Sequence, residues 1–261
     1  MEVIIRPTAA DAVKLTARLI ADAICEKPDF KLGLATGATM EAVYAELAEM
    51  NRAGKVDFAR TRTFNLDEYI GLPAEDPNSY RYYMNYHLFD KINIDKRNTH
   101  LPDGMAKDEV AEAAAYEAAI EDAGGIDLQL LGIGSDGHIG FNEPLSSLSS
   151  RTRAKYLTPA TYQQNSVYFN PPESMPRRAF TMGVGTILDA RRIVMLITGE
   201  RKADIAAQAI EGPVSSMVTG SAVQLHPDAV VILDEAAAAR LTMREYCDDL
   251  FAHEPKWAPY R

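Results

Sequence analysis

The sequence of 261 residues predicts an α/β fold: a single open, mostly parallel sheet with helices on both faces, doubly wound in a Rossmann-like manner. Two observations carry this expectation. Strand-like and helix-like segments alternate along nearly the whole chain, and several strands are continuous apolar runs of the kind buried on both faces. No linker, low-complexity tract or internal repeat interrupts the pattern, so residues 1–261 are expected to form one domain.

The elements follow in order. Val3–Arg6 reads as a strand, and Ala9–Glu26 as a helix with Val13, Leu15, Ala17, Leu19, Ile20 and Ile24 at helical spacing. Lys31–Ala35 is a short apolar strand that runs into Thr36-Gly37-Ala38-Thr39, and Met40–Met50 is amphipathic. Arg60–Leu66 is a strand with Asp67-Glu68-Tyr69 at its C-terminal end. Tyr80–Phe89 and Asp108–Ala123 read as helices, the second stopped by Gly124-Gly125. Ile126–Leu131, Arg192–Thr198 and Ala229–Leu233 are buried-type strands, with Lys202–Ile210 and Glu235–Asp249 as the helices between and after them.

Bulk properties remove several function classes. A formal net charge of −10 gives no basic field for nucleic acid or an anionic membrane, so any anionic ligand needs a local cluster of donors. Cys25 and Cys247 make neither a disulfide framework nor a metal spacing. The N-terminal residues carry no secretory pattern and no apolar run is long enough to span a bilayer, so a cytoplasmic protein is expected.

The densest chemistry lies in Ile133-Gly134-Ser135-Asp136-Gly137-His138-Ile139-Gly140-Phe141-Asn142-Glu143-Pro144, directly after a strand. Gly132–Gly137 matches G-x-G-x-x-G, but no helical periodicity follows and no Asp or Glu occurs from Pro144 to Pro172. A dinucleotide site needs both, so nicotinamide binding is rejected. In a parallel sheet all strand C-termini open on one edge, which brings three loops to one crevice. The first, Thr36-Gly37-Ala38-Thr39, offers hydroxyls and backbone N–H groups at a helix start, a natural phosphate cradle. The second presents Asp67 and Glu68, and the third Asp136, His138 and Glu143. A phosphate seat beside proton-transfer groups suits a small phosphorylated metabolite.

These residues resemble the glucosamine-6-phosphate deaminase (glucosamine-6-phosphate isomerase) family. The matching segments are Leu34-Ala35-Thr36-Gly37, Phe64–Leu72, Gly134–Pro144, Ser146–Arg153, Met182–Thr186 and Leu225-His226-Pro227. The resemblance implies conversion of glucosamine 6-phosphate and water to fructose 6-phosphate and ammonia. On it Asp67 is the base for enolisation, and His138 is the shuttle that opens the ring, oriented by Asp136 and Glu143. Thr36, Gly37, Ala38 and Thr39 hold the phosphate with the help of Lys202. The redox change is internal to the carbon skeleton, so no cofactor and no metal are expected. Rival readings are a deaminase of another amino sugar or its phosphate, and a 6-phosphogluconolactonase-like hydrolase.

One departure stands out. The family's phosphate-binding arginine in a segment like Asn-Ser-Arg-Phe-Phe is replaced by Val167 in Asn165-Ser166-Val167-Tyr168-Phe169. Loss of a bidentate contact removes about 1.5–3 kcal/mol of binding unless Arg177, Arg178 or Arg201 substitutes. The resemblance also implies a homohexamer whose activator, N-acetylglucosamine 6-phosphate, binds between subunits at Ser146, Ser147, Arg153 and Lys155, with Tyr246 as a further contact.

Overall fold

The computed structural model describes all residues from Met1 to Arg261. The chain forms β1 (Glu2–Arg6), α1 (Ala9–Glu26), β2 (Lys31–Leu34), α2 (Ala38–Arg52), β3 (Arg62–Asn65), β4 (Asp67–Tyr69), α3 (Tyr80–His87), β5 (Thr99–His100) and α4 (Glu109–Asp122). It continues through β6 (Leu128–Leu131), β7 (Arg153–Tyr156), α5 (Pro159–Ser166), β8 (Arg178–Thr181), α6 (Val184–Leu188), β9 (Ile193–Ile197), α7 (Ala203–Ile210), β10 (Ala229–Asp234) and α8 (Arg244–His253). Helix starts follow local chemistry. Thr8 Oγ1 accepts from Asp11 N–H at 3.1 Å to open α1, and the Asp108 carboxylate accepts from Val110 and Ala111 N–H to open α4. Gly124 and Gly125, both at φ +84°, close α4 in a conformation that side chains disfavour.

Seven strands make the main sheet in the order β1-β10-β9-β6-β2-β3-β5, with every pairing parallel. Its central strands are dry: Leu32, Leu34, Leu128, Leu130 and Val194 have no exposed surface. Each such side chain contributes roughly 1.5–3 kcal/mol of burial. The chain runs from β2 outward to β3 and β5, then returns to β6 and runs the other way to β9 and β10. The direction therefore reverses between β2 and β6. Loops leaving those two strands diverge there and open a crevice at the switch point.

Two expectations need correction. Asp67-Glu68-Tyr69 does not simply trail off β3; it is a strand of a second, three-stranded antiparallel sheet, β4-β8-β7, absent from the sequence reading. Leu66 is the pivot, its N–H donating to Leu34 O at 3.0 Å and its carbonyl accepting from Met182 N–H at 2.6 Å. The helix expected at Glu235–Asp249 begins only at Arg244. The Ala-rich stretch makes one turn on Asp234, and the Glu211 carboxylate then takes the N–H groups of Thr242 (2.9 Å) and Met243 (2.9 Å), restarting the helix later.

Candidate active site

The loop after β6 is held by its own glycines and by distant hydroxyls. A Cβ on Gly134 would lie 2.5 Å from the His138 ring, so the bare backbone there lets the imidazole fold over the loop. Thr219 Oγ1 donates to Asn142 O at 2.8 Å, and Gly220 N–H donates to Gly137 O at 2.8 Å. Asn142, fully buried, donates to the carbonyls of Ile139 (2.9 Å) and Met182 (2.8 Å) and accepts from Arg153 at 3.0 Å.

This scaffold sets His138 Nδ1 2.6 Å from Asp136 Oδ1 and 3.6 Å from Glu143 Oε2. The nearer contact lacks the in-line geometry of a hydrogen bond and acts through charge. Burial alone would raise the Asp136 pKa, but the nearby His138 ring and the His138 backbone N–H, which donates to Asp136 Oδ1 at 3.2 Å, outweigh it and hold Asp136 below its usual value. Asp136 is thus an anion poised to stabilise an imidazolium. Glu143 is buried and accepts from Thr158 N–H (3.1 Å) and Oγ1 (3.2 Å). The three groups bring ligand-type atoms within 4.8 Å of one another, a spacing a cation could share.

Asp67 reaches the same crevice from β4, where it pairs with Thr181. Its Oδ2 would lie 3.5 Å from a Cβ on Gly140, midway between His138 and Asn142 in the loop. Burial, and after it the adjacent Glu68 charge, pushes the Asp67 carboxyl up to about 8. Glu68 departs from expectation. Its carboxylate turns away from the cleft and caps α3, accepting from Tyr69 (2.8 Å), Tyr80 (2.9 Å) and Arg81 (2.8 Å) N–H.

The first loop leaves the same edge of the sheet, from β2 beside β6. Gly37 is the N-cap of α2 at φ +114° with no side-chain cap on the helix start, so the first-turn N–H groups of Ala38 and Thr39 have no intrahelical acceptor. Tyr83 Oη donates to Gly37 O at 2.9 Å and the Tyr80 ring stacks on Phe141 at 6.1 Å, so α3 ties loop one to loop three. Lys202 Nζ donates to Ile133 O at 2.8 Å. Burial lowers its pKa while the Asp136 charge pulls it back, which puts the ammonium within the field of the His138 cluster.

A family model described as "Glucosamine-6-phosphate isomerases/6-phosphogluconolactonase" matches residues 6–233. The chain belongs to this family. It is 51% identical over 246 residues to a glucosamine-6-phosphate deaminase of Shewanella loihica, covering 94% of this chain and 92% of that one. It is 52% identical over 246 residues to the enzyme of that name from Cellvibrio japonicus, with 94% of each covered. A solved structure described as a monomeric glucosamine-6-phosphate deaminase superposes with a TM-score of 0.90 at 43% identity, covering 92% of this chain and 100% of that one.

Against that family frame, the residues named from sequence divide into two sets. Thr36, Gly37, Ala38, Thr39, Asp67, Asp136, His138, Glu143 and Lys202 all follow the C-terminal ends of β2, β3, β6 and β9, at one edge of the sheet. Ser146, Ser147, Arg153 and Lys155 follow in the next loop and β7, beside it. Tyr246 does not join them: it lines a groove with Met1, Glu2, Val3 and Ile210 at the opposite edge of the sheet. Val167 caps α5 and is 71% exposed. Of its suggested substitutes, Arg178 is bound bidentately to Glu109 and Arg177 lies over the Tyr162 ring. Sequence reasoning missed Thr158, although a threonine before Pro159 is a helix-start signal. It also missed α5 as a cover. Gln164 Oε1 accepts from Ser135 at 2.8 Å, and Asn165 donates to Tyr69 Oη at 3.2 Å, tying α5 to the crevice.

Proposed function

We propose that this protein converts glucosamine 6-phosphate and water to fructose 6-phosphate and ammonia. The observation that carries the proposal is the convergence of a buried, high-pKa carboxyl at Asp67, the Asp136–His138–Glu143 cluster and the Thr36–Thr39 cradle on one crevice, in a chain about half identical to deaminases of that name.

Each group has a step that its chemistry suits. The α2 N-terminus and Lys202 take the phosphate dianion. His138 accepts the C1 hydroxyl proton and returns one to the ring oxygen, breaking the C1–O5 bond; Asp136 and Glu143 stabilise the imidazolium between these transfers. Asp67, ionised, takes the proton from C2 of the open aldehyde while O1 gains one from water, giving the C1–C2 enolamine; Asp67 then delivers its proton to C1 and the nitrogen returns one to water, leaving a C2 imine. Water adds to that imine carbon and ammonia leaves, forming the ketose. Carbon oxidation at C2 balances reduction at C1, so the sequence needs no external redox partner. The decisive experiment is ammonia release from glucosamine 6-phosphate, its galacto epimer and free glucosamine. Release from glucosamine 6-phosphate well above the other two supports the proposal. Preference for the epimer or for the free sugar would move the assignment to another amino sugar, the reading that exposed, non-donating Val167 favours.

The effector site belongs to the same proposal. Ser146 has a buried hydroxyl without a partner, and Arg153 reaches the loop that carries His138 and Glu143 through Asn142. An effector phosphate at Arg153 would compete for that contact, which offers a route from effector to active site. Tyr246, on the far edge, could complete such a site only from a second subunit, in line with a homohexamer. One domain spanning the chain and a cytoplasmic location remain part of the reading; no helix is long and apolar enough to cross a membrane.

A further inference from the structure

At the sheet edge opposite the active site, a polar cavity of about 530 Å³ is lined by Asp29, Lys31, Ala59, Arg60, Arg62, Asn98 and Ala123. The parallel register makes Lys31 and Arg62, the first residues of β2 and β3, direct lateral neighbours. Two cations side by side on a sheet repel unless an anion lies between them. Lys31 has its anion: Nζ sits 3.2 Å from Asp29, with only 14% of the lysine side chain exposed. Arg62 and Arg60 have none, forming no ion pair or side-chain hydrogen bond. Asn98, at the start of neighbouring β5, adds an amide to the same wall. Three cations against one carboxylate is an unusual concentration in a chain of net charge −10. The positive field extends inward. Burial lowers the pKa of His100, which stacks on Phe64, and the charges of Arg62 and Arg81 lower it further.

We propose that this cavity binds a small polyanion with phosphate-type oxygens. The guanidinium pair suits bidentate oxygen recognition, the volume fits a ligand of sugar-phosphate or diphosphate size, and the polar walls exclude an apolar body. Because the cavity opens at the strand N-termini, its occupant does not compete with a substrate held at the strand C-termini.

Pyrophosphate and citrate serve as probes, separating phosphate-type anions from polycarboxylates, with sodium chloride at matched ionic strength as the control. In the isotope-labelled full chain, pyrophosphate is expected to shift the backbone amides of Arg62, Thr63 and Asn98 saturably, and Arg60→Gln/Arg62→Gln to weaken that binding about tenfold or more. Activity without added anion and the melting temperature should be unchanged in that variant, since both arginines are exposed. Shifts confined to Gly37–Thr39 and the Lys202 turn would overturn the site. So would shifts reproduced by sodium chloride, or an affinity equal in wild type and the double variant. Citrate binding more tightly than pyrophosphate would overturn the ligand class. None of the binding readouts depends on the deaminase assignment.

Discussion

At the residue scale the burial of Asp67, in its proposed role as the base, ties activity to stability. A base works only when ionised, so kcat/KM is expected to rise with pH through about 8, the value to which burial and Glu68 push this carboxyl. A pH–rate profile already flat from pH 6 would contradict that. The same shift has a thermodynamic sign. The folded state binds this proton more tightly than the unfolded chain, whose carboxyl titrates near 3.8, so stability declines as pH rises through the interval between 3.8 and about 8. Asp67→Asn removes the group that must ionise. It should melt higher than wild type at pH 8 while losing about 10²–10⁴-fold in ammonia release. A variant that is less stable and fully active would refute both halves. The Asp136, His138 and Glu143 cluster was legible because its members lie within eight residues. The position of Glu68 was not, because its donors on Tyr80 and Arg81 lie in a helix twelve or more residues away.

At the element scale, legibility followed length and pattern. α1, with a threonine cap and five turns of apolar spacing, was readable to the residue, and the dry central strands were readable to within two residues at their ends. β4 has three residues and β7 is half-exposed, so neither presents a run long enough to carry a period, and the small sheet stayed invisible. α8 failed differently. Local propensity favours a helix from Glu235, but a carboxylate from the end of α7 captures the backbone at Thr242 and Met243. Glu211→Ala should therefore cost about 1 kcal/mol, the worth of a helix-start cap, read from denaturant midpoints. Hydrogen bonds from Thr242 and Met243 overcome its burial and lower the Glu211 pKa, so its contribution is present above the unfolded value of 4.5 and lost as pH falls through the lower folded value. Equal midpoints for variant and wild type at pH 7 would remove this account of the restart.

At the scale of the molecule, strand–helix alternation fixed the class of fold, while strand order could not be read because it depends on which strands find each other. That order matters most: the reversal between β2 and β6 sets the loop proposed to cradle the phosphate beside the loop proposed to transfer protons. The proposed homohexamer predicts a light-scattering mass about six times the chain's 28.7 kDa and a substrate saturation curve sharpened or shifted by N-acetylglucosamine 6-phosphate. A monomer with an unchanged curve, like the solved relative described as monomeric, would end both expectations together.

The closeness of Gly134 to the His138 ring carries its own consequence. A single methyl at that point would occupy the volume the imidazole now fills, and the ring would have to swing off Asp136. Gly134→Ala should fold with its far-ultraviolet spectrum intact yet lose most of its turnover, because the ring could no longer serve as the acid. The aim of the proton carrier is decided by an atom the chain leaves out.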